Sequence, residues 1–185
     1  GGNAIYKWTL ISRDGQPVSS NNGLEIAVQK SILQVESPDN IILCSDDDPF
    51  TYQDGLTFGV IRRWAREGAH IGSVDSSAHI LAKAGVLNGY SCTTHWSNLA
   101  GLNENYPDID AQALLYIVDR KRFSCAGGTA VIDMFLSEVA RKFGNELAAG
   151  ISEQMLHERI RPGDDRQKIP LKARFNSSHP KLVDS

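Results

Sequence analysis

The chain has 185 residues, 41% of them hydrophobic and 22% charged, with a formal net charge of −3. This is enough for one domain with a real core and too little for two large ones, and the ordinary apolar content excludes disorder over the whole length. No apolar run approaches the ~18 residues of a membrane span, and the acidic balance lacks the basic footprint of a nucleic-acid-binding domain.

Tyr6–Ser12 alternates and is rich in strand formers, and Asp14-Gly15 turns it. Gln16–Gly23 reads as a turn or short hairpin, and Ile26–Val35 has weak helical spacing. Asn40–Cys44 is a continuous apolar run and predicts a buried parallel strand covered on both faces. Asp54 then caps a helix with Leu56, Val60, Ile61 and Trp64 on one face and Gly68 at its end. His70–Val74 is a short strand that passes abruptly through Asp75-Ser76 into a helix over Ser77–Val86. Tyr90–Thr94 and Leu114–Val118 predict further strands, the latter turned by Asp119-Arg120-Lys121 to pair with Arg122–Ala126. A helix lies near Ser97–Tyr106. Thr129 opens the strongest helix, with an apolar stripe of Ile132, Phe135, Leu136, Val139 and Phe143 ended by Gly144, and Asn145 caps another. Strands alternating with helices mean a parallel-rich α/β sheet. From Arg161 the texture turns polar, basic and Pro-punctuated, as in a linker or arm. Residues 1–160 therefore read as the domain and 161–185 as a linker.

Three stretches can carry chemistry. In Gly72-Ser73-Val74-Asp75-Ser76-Ser77-Ala78 a strand ends, one residue makes a corner and a helix begins. In hydrolase-like α/β folds such a corner projects a nucleophile, and the helix N–H groups behind it hold an anion. On the residues alone, capping of the next helix is the default role for Asp75. In Thr93-Thr94-His95-Trp96, His95 has the chemistry of a general base, although a packed histidine is the commoner case. Asp46-Asp47-Asp48 follows a strand where open sheets bind ligands and has the charge to face a cationic group, although loop acids are usually just solvated. Cys44, Cys92 and Cys125 lie apart, with no CxxC, which points away from disulfides and structural zinc and towards a reducing cytoplasm. Cys44, Cys92 and Cys125 read as core residues. Trp8, Trp64 and Trp96 read as core by default, Trp96 being the one placed to line a pocket.

The stretch from Gly72 through Ala82–Gly89, then Thr93–Trp96, then Cys125-Ala126-Gly127-Gly128-Thr129-Ala130 with Asp133, resembles the ThiJ/PfpI-type, class I glutamine amidotransferase-like domain. More narrowly, it is similar to the version at the N-terminal end of AraC/XylS-type regulators. Gln154–Gln167 and Pro170–Arg174 resemble the linker before their helix-turn-helix domain, and His179-Pro180-Lys181-Leu182 resembles that domain's first residues. The resemblance implies a flavodoxin-like three-layer α/β sandwich with a mostly parallel sheet. In enzymes of the superfamily the corner carries a nucleophilic Cys partnered by a His; here the matching positions are Asp75 and His95. Without the thiolate the usual acyl-transfer nucleophile is missing.

The implied role is therefore a cytoplasmic bacterial ligand-sensing and dimerisation domain without catalysis, cofactor or metal. Its effector would be an amino acid or a quaternary amine such as arginine, betaine or carnitine. Asp46, Asp75, Ser76, Ser77, His95 and Trp96 are the candidate ligand-binding residues: a carboxylate on the Ser76 and Ser77 N–H groups, a cation towards Asp46, Asp75 or the face of Trp96. Homodimers are implied, with DNA bound through a C-terminal domain outside this chain. The family also places a central strand and helix before Tyr6, so the resemblance implies an excised sensor domain, and the initial Gly-Gly in place of Met implies a processed, tagged or truncated start. The alternative is a hydrolase or hydratase using Asp75 and His95.

Overall fold

The computed structural model describes residues 6–45 and 49–168. The Asp46-Asp47-Asp48 cluster, and with it the ligand role expected of Asp46, lies outside the described residues, as do Pro170–Arg174 and His179–Leu182.

The chain opens with short pairings. β1 (Ile11–Ser12) runs parallel to β4 (Lys30–Ser31), and between them β2 (Val18–Ser19) and β3 (Glu25–Ile26) form a hairpin. The strand expected over Tyr6–Ser12 is thus reduced to its last two residues, and Trp8 is 72% exposed rather than core. The weak helical spacing after Ile26 resolves into β4 and a single 3₁₀ turn, Ile32–Gln34.

The main sheet contains β5 (Asn40–Cys44), β6 (His70–Val74), β9 (Tyr116–Asp119) and β10 (Arg122–Cys125) in the order β5-β6-β10-β9. β5, β6 and β10 are parallel, and β9 returns antiparallel to β10. The parallel register puts Cys44 beside Val74 and Val74 beside Cys125, so three strands end level and their following loops share one edge. Among the described residues β5 is an edge strand of this sheet. Its residues alternate, with Ile42 and Cys44 exposed, instead of being covered on both sides. The core role expected of Cys44 fails for that reason, whereas Cys92 and Cys125 are buried.

α1 (Gly55–Glu67) forms as its sequence dictates. The Asp54 carboxylate accepts from the N–H groups of Leu56 and Thr57, two of the donors a helix start leaves orphaned, and Gly68 takes the left-handed conformation that ends it. Trp64 and Ile61 enter a core with Ile71, Leu81, Leu87 and Leu102. α2 (Ala78–Lys83) is shorter than expected because a 3₁₀ turn, Asp75–Ser77, supplies its entry. Next come β7 (Ser91–Cys92), α3 (Leu99–Asn105) and β8 (Asp110–Ala111), with β7 and β8 paired in parallel. α4 (Ala130–Phe143) covers β9 and β10, its Ala130 and Met134 packing with Leu115, Tyr116 and Cys125. Its buried side holds Ala130, Asp133, Met134 and Leu136; Phe135 and Phe143 of the expected stripe are left exposed. α5 (Asn145–Gln154) packs against α4. Helices flank a mostly parallel sheet, as in an α/β flavodoxin-like sandwich.

Candidate functional site

The shared edge of β5, β6 and β10 is shaped by one strained residue. Asp75 has φ +58°, left-handed backbone that costs a non-glycine residue free energy and persists where its surroundings enforce it. The corner expected at the end of β6 is therefore present, whereas the capping role is not: α2 has no side-chain cap, and the Asp75 carboxylate turns the other way. It packs over Gly127, where a β-carbon would stand 2.6 Å from Asp75 Oδ2. Gly127, at φ +90°, is thus required twice, for its conformation and for the room it leaves.

The two serines after the corner are buried. Ser77 Oγ accepts from the Val74 N–H at 2.9 Å and donates to the Leu43 carbonyl at 2.7 Å, which ties the corner to β5. Ser76 Oγ lies 3.4 Å from Ser45 Oγ. The hydroxyl of Ser77 is thus spent on the fold. α2 is only six residues long, so its end contributes a small dipole.

Thr94 Oγ1 donates to the Asp75 carbonyl at 2.9 Å and brings the segment after β7 to the corner. His95 follows, but its Nδ1 bonds Ser97 Oγ at 2.7 Å, and among the described residues no hydrogen bond joins it to Asp75. The acid–base pair that turnover by Asp75 and His95 requires is not assembled. Trp96 is 47% exposed, its ring tilted against that of His95 with centroids 5.0 Å apart. It stands at the surface instead of filling the core. Cys125, the cysteine beside the corner, is buried, and burial pushes its thiol above the ordinary range, away from the reactive thiolate. Among the described residues no group of three His, Cys, Asp or Glu gathers as metal ligands do.

Two features of this edge have no local signature in the sequence. The polar stretch from Arg161 lies along Leu114–Tyr116, where β9 begins: the Tyr116 N–H donates to the Gly163 carbonyl, the Leu115 N–H to the Asp165 carbonyl, and Leu114 bridges Arg166. At its end Gln167 Nε2 donates to Thr93 Oγ1, the Thr94 carbonyl and the Leu114 carbonyl at 2.8–3.0 Å, and Lys168 Nζ sits 3.4 Å above the centre of the Trp96 ring. The second feature is a clasp on Asp133. This fully buried carboxylate accepts from His157 Nε2, the Arg161 N–H and Arg161 Nε, each at 2.8 Å, while Arg161 Nη2 also reaches Thr129 Oγ1 at 2.7 Å. Burial alone would raise the Asp133 pKa, but the amide and guanidinium of Arg161 and the His157 ring outweigh it and hold the carboxyl below its ordinary value. Two surface clefts, of about 400 and 480 Å³, lie elsewhere, one against Pro38, Asn40 and His70, the other against Phe143, Leu147 and Ile151; neither includes Asp75 or Trp96.

Comparison with known proteins places this geometry. Residues 3–141 match the DJ-1/PfpI family. The chain is 36% identical over 183 residues to the HTH-type transcriptional regulator GbdR of Pseudomonas aeruginosa (strain UCBPP-PA14), a match covering 98% of this chain and 49% of that protein. It is 32% identical over 179 residues to the HTH-type transcriptional regulator CdhR of Pseudomonas aeruginosa, over 97% of this chain and 53% of that protein. The chain thus spans about half the length of these curated relatives. The crystal structure of an AraC family transcriptional regulator from Pseudomonas putida superposes with a TM-score of 0.72 at 27% identity, over 82% of each chain.

Proposed function

Because this chain belongs to the DJ-1/PfpI family and carries a carboxylate at the sharp corner after β6, we propose that it is the ligand-sensing domain of an AraC-type transcription regulator, binding a small metabolite without transforming it. The observation that carries the reading is Asp75 itself: a strained residue at the strand-end edge, its carboxylate over Gly127, with the neighbouring thiol of Cys125 buried. A carboxylate and the surface-exposed indole of Trp96 are suited to a cation, and a quaternary or guanidinium group is attracted by both. The backbone N–H groups of Ser76 and Ser77, with His95 at the rim and Asp46 after β5, remain the candidates for the rest of the ligand. An amino acid or quaternary amine has the matching pair of charges. The regulator names of the relatives support this reading, as does their length, which leaves room for a DNA-binding domain in each. Paired half-sites on DNA would call for a homodimer.

Isothermal titration of L-arginine, glycine betaine and carnitine tests the reading. At least one binds the wild-type chain unchanged in mass, Asp75→Ala weakens it about tenfold or more, and Trp96→Ala weakens it about two- to fivefold. Uptake of none of them, or consumption of one, sinks the reading.

A further inference from the structure

The place where the proposed effector's cation would sit already holds one. Lys168 Nζ lies 3.4 Å from the centre of the Trp96 ring, on a residue that is 47% exposed. It is the last described residue of a strap that runs antiparallel along Leu114–Tyr116, fastened through the carbonyls of Gly163 and Asp165 and then through the Gln167 carboxamide.

From these contacts we propose that Lys168 is a resident competitor for the Trp96 face, so that an effector's cationic group enters by displacing Lys168 and loosens the strap with it. The inference rests on the cation-binding reading above and adds how that site is regulated. The contact suits the role because it is weak: an ammonium over an exposed aromatic ring is held by only about two- to fivefold in equilibrium. The Gln167 contact is also incomplete. Its NH₂ has two protons for three acceptors, and Oε1 of the same carboxamide is covered without a donor. A covered acceptor without a partner disfavours the docked state, because water would satisfy it on release. The strap is therefore poised between two arrangements, and a ligand that binds only one of them shifts the balance. Gln167 also bonds Thr93 and Thr94, and Thr94 bonds Asp75, so release is felt at the corner.

The probe is tetramethylammonium chloride, with sodium chloride at equal ionic strength as control. Two readouts are used on the full chain: affinity by titration, and hydrogen exchange at the Leu115 and Tyr116 amides, whose acceptors belong to the strap. In the wild type tetramethylammonium speeds exchange at both amides and sodium does not. Lys168→Gln, a change at an exposed residue, binds the probe about two- to fivefold tighter and exchanges faster at both amides before any probe is added. If Lys168→Gln binds with wild-type affinity, or if the probe binds while both amides stay protected, the competitor is refuted and the cation site stands. If neither protein binds the probe, the cation site itself falls and takes the competitor with it.

Discussion

The carboxylate of Asp75 occupies the space that a side chain on Gly127 would need: a β-carbon there would lie 2.6 Å from Oδ2 and 2.9 Å from Cβ of Asp75. Gly127 also has φ +90°, where an L side chain is strained whatever the space. Gly127→Ala therefore combines a backbone cost of about 1–2 kcal/mol with displacement of the corner carboxylate. The expected loss is about 2–3 kcal/mol, a Tm lower by roughly 4–12 °C for a chain of this size, together with weakened effector binding. Calorimetry showing an unchanged Tm would mean that Asp75 does not sit against Gly127.

Asp75→Gly separates a functional corner from a structural one. Glycine takes φ +58° freely, so the variant relieves strain rather than adding it. Its melting temperature should hold or rise by about 2–4 °C, corresponding to up to ~1 kcal/mol, while cation binding is lost. A Tm that falls by several degrees would assign Asp75 a stabilising contact that the geometry does not contain, and would return it to the role of a cap.

How far these residues were legible in the sequence follows from how local their causes are. α1 was readable because its signals are adjacent: Asp54 before it, Val60, Ile61 and Trp64 along one face, Gly68 after it. The corner was legible as a place, since a strand runs directly into a helix there, but not as a conformation, since an aspartate before a helix is more often a cap. Trp8 was misread because burial is decided by what packs on the ring, and one short strand pairing leaves it uncovered. Phe135 and Phe143 matched a helical period without facing the sheet; that side of α4 went to Met134 and to Asp133, a charge that no apolar template selects. Lys168 and Trp96 are far apart in sequence, as are Gln167 and Thr93, so no spacing rule links the strap to the corner.

The Asp133 clasp makes an acid-dependent prediction. The carboxyl pKa is lowered in the folded state, so its ionised form contributes stability fully above the unfolded value near 3.8, and that contribution is lost as pH falls through the folded value. Thermal melts of the wild type and Asp133→Asn between pH 7 and 3 test this. At pH 7 the variant, which leaves the Arg161 guanidinium short of its counter-charge, should be less stable by about 3–5 kcal/mol. The gap should narrow towards pH 3, where the wild type begins to lose the same charge. A gap that stays constant to pH 3 would show that the ionised carboxylate is not what holds Arg161 and His157.

Gly72 and Phe123 face each other in register across β6 and β10, and a β-carbon on Gly72 would lie 1.9 Å from the Phe123 ring. The ring thus covers the glycine, and this pairing brings the parallel strands together just before Val74 and Cys125 set the corner level. Adding a methyl here is overpacking in mid-strand, where the backbone is held by neighbours on both sides, so the ring must move. Gly72→Ala should cost about 1–3 kcal/mol, a Tm lower by roughly 2–12 °C. Phe123→Ala should also destabilise, by loss of its packing. The two changes share one space, so the double variant should lose at least ~1 kcal/mol less than the sum of the single losses. Chemical denaturation of all four proteins measures that coupling. Additive losses would mean that the ring does not lie over Gly72, and that the strand spacing beneath the corner has another cause.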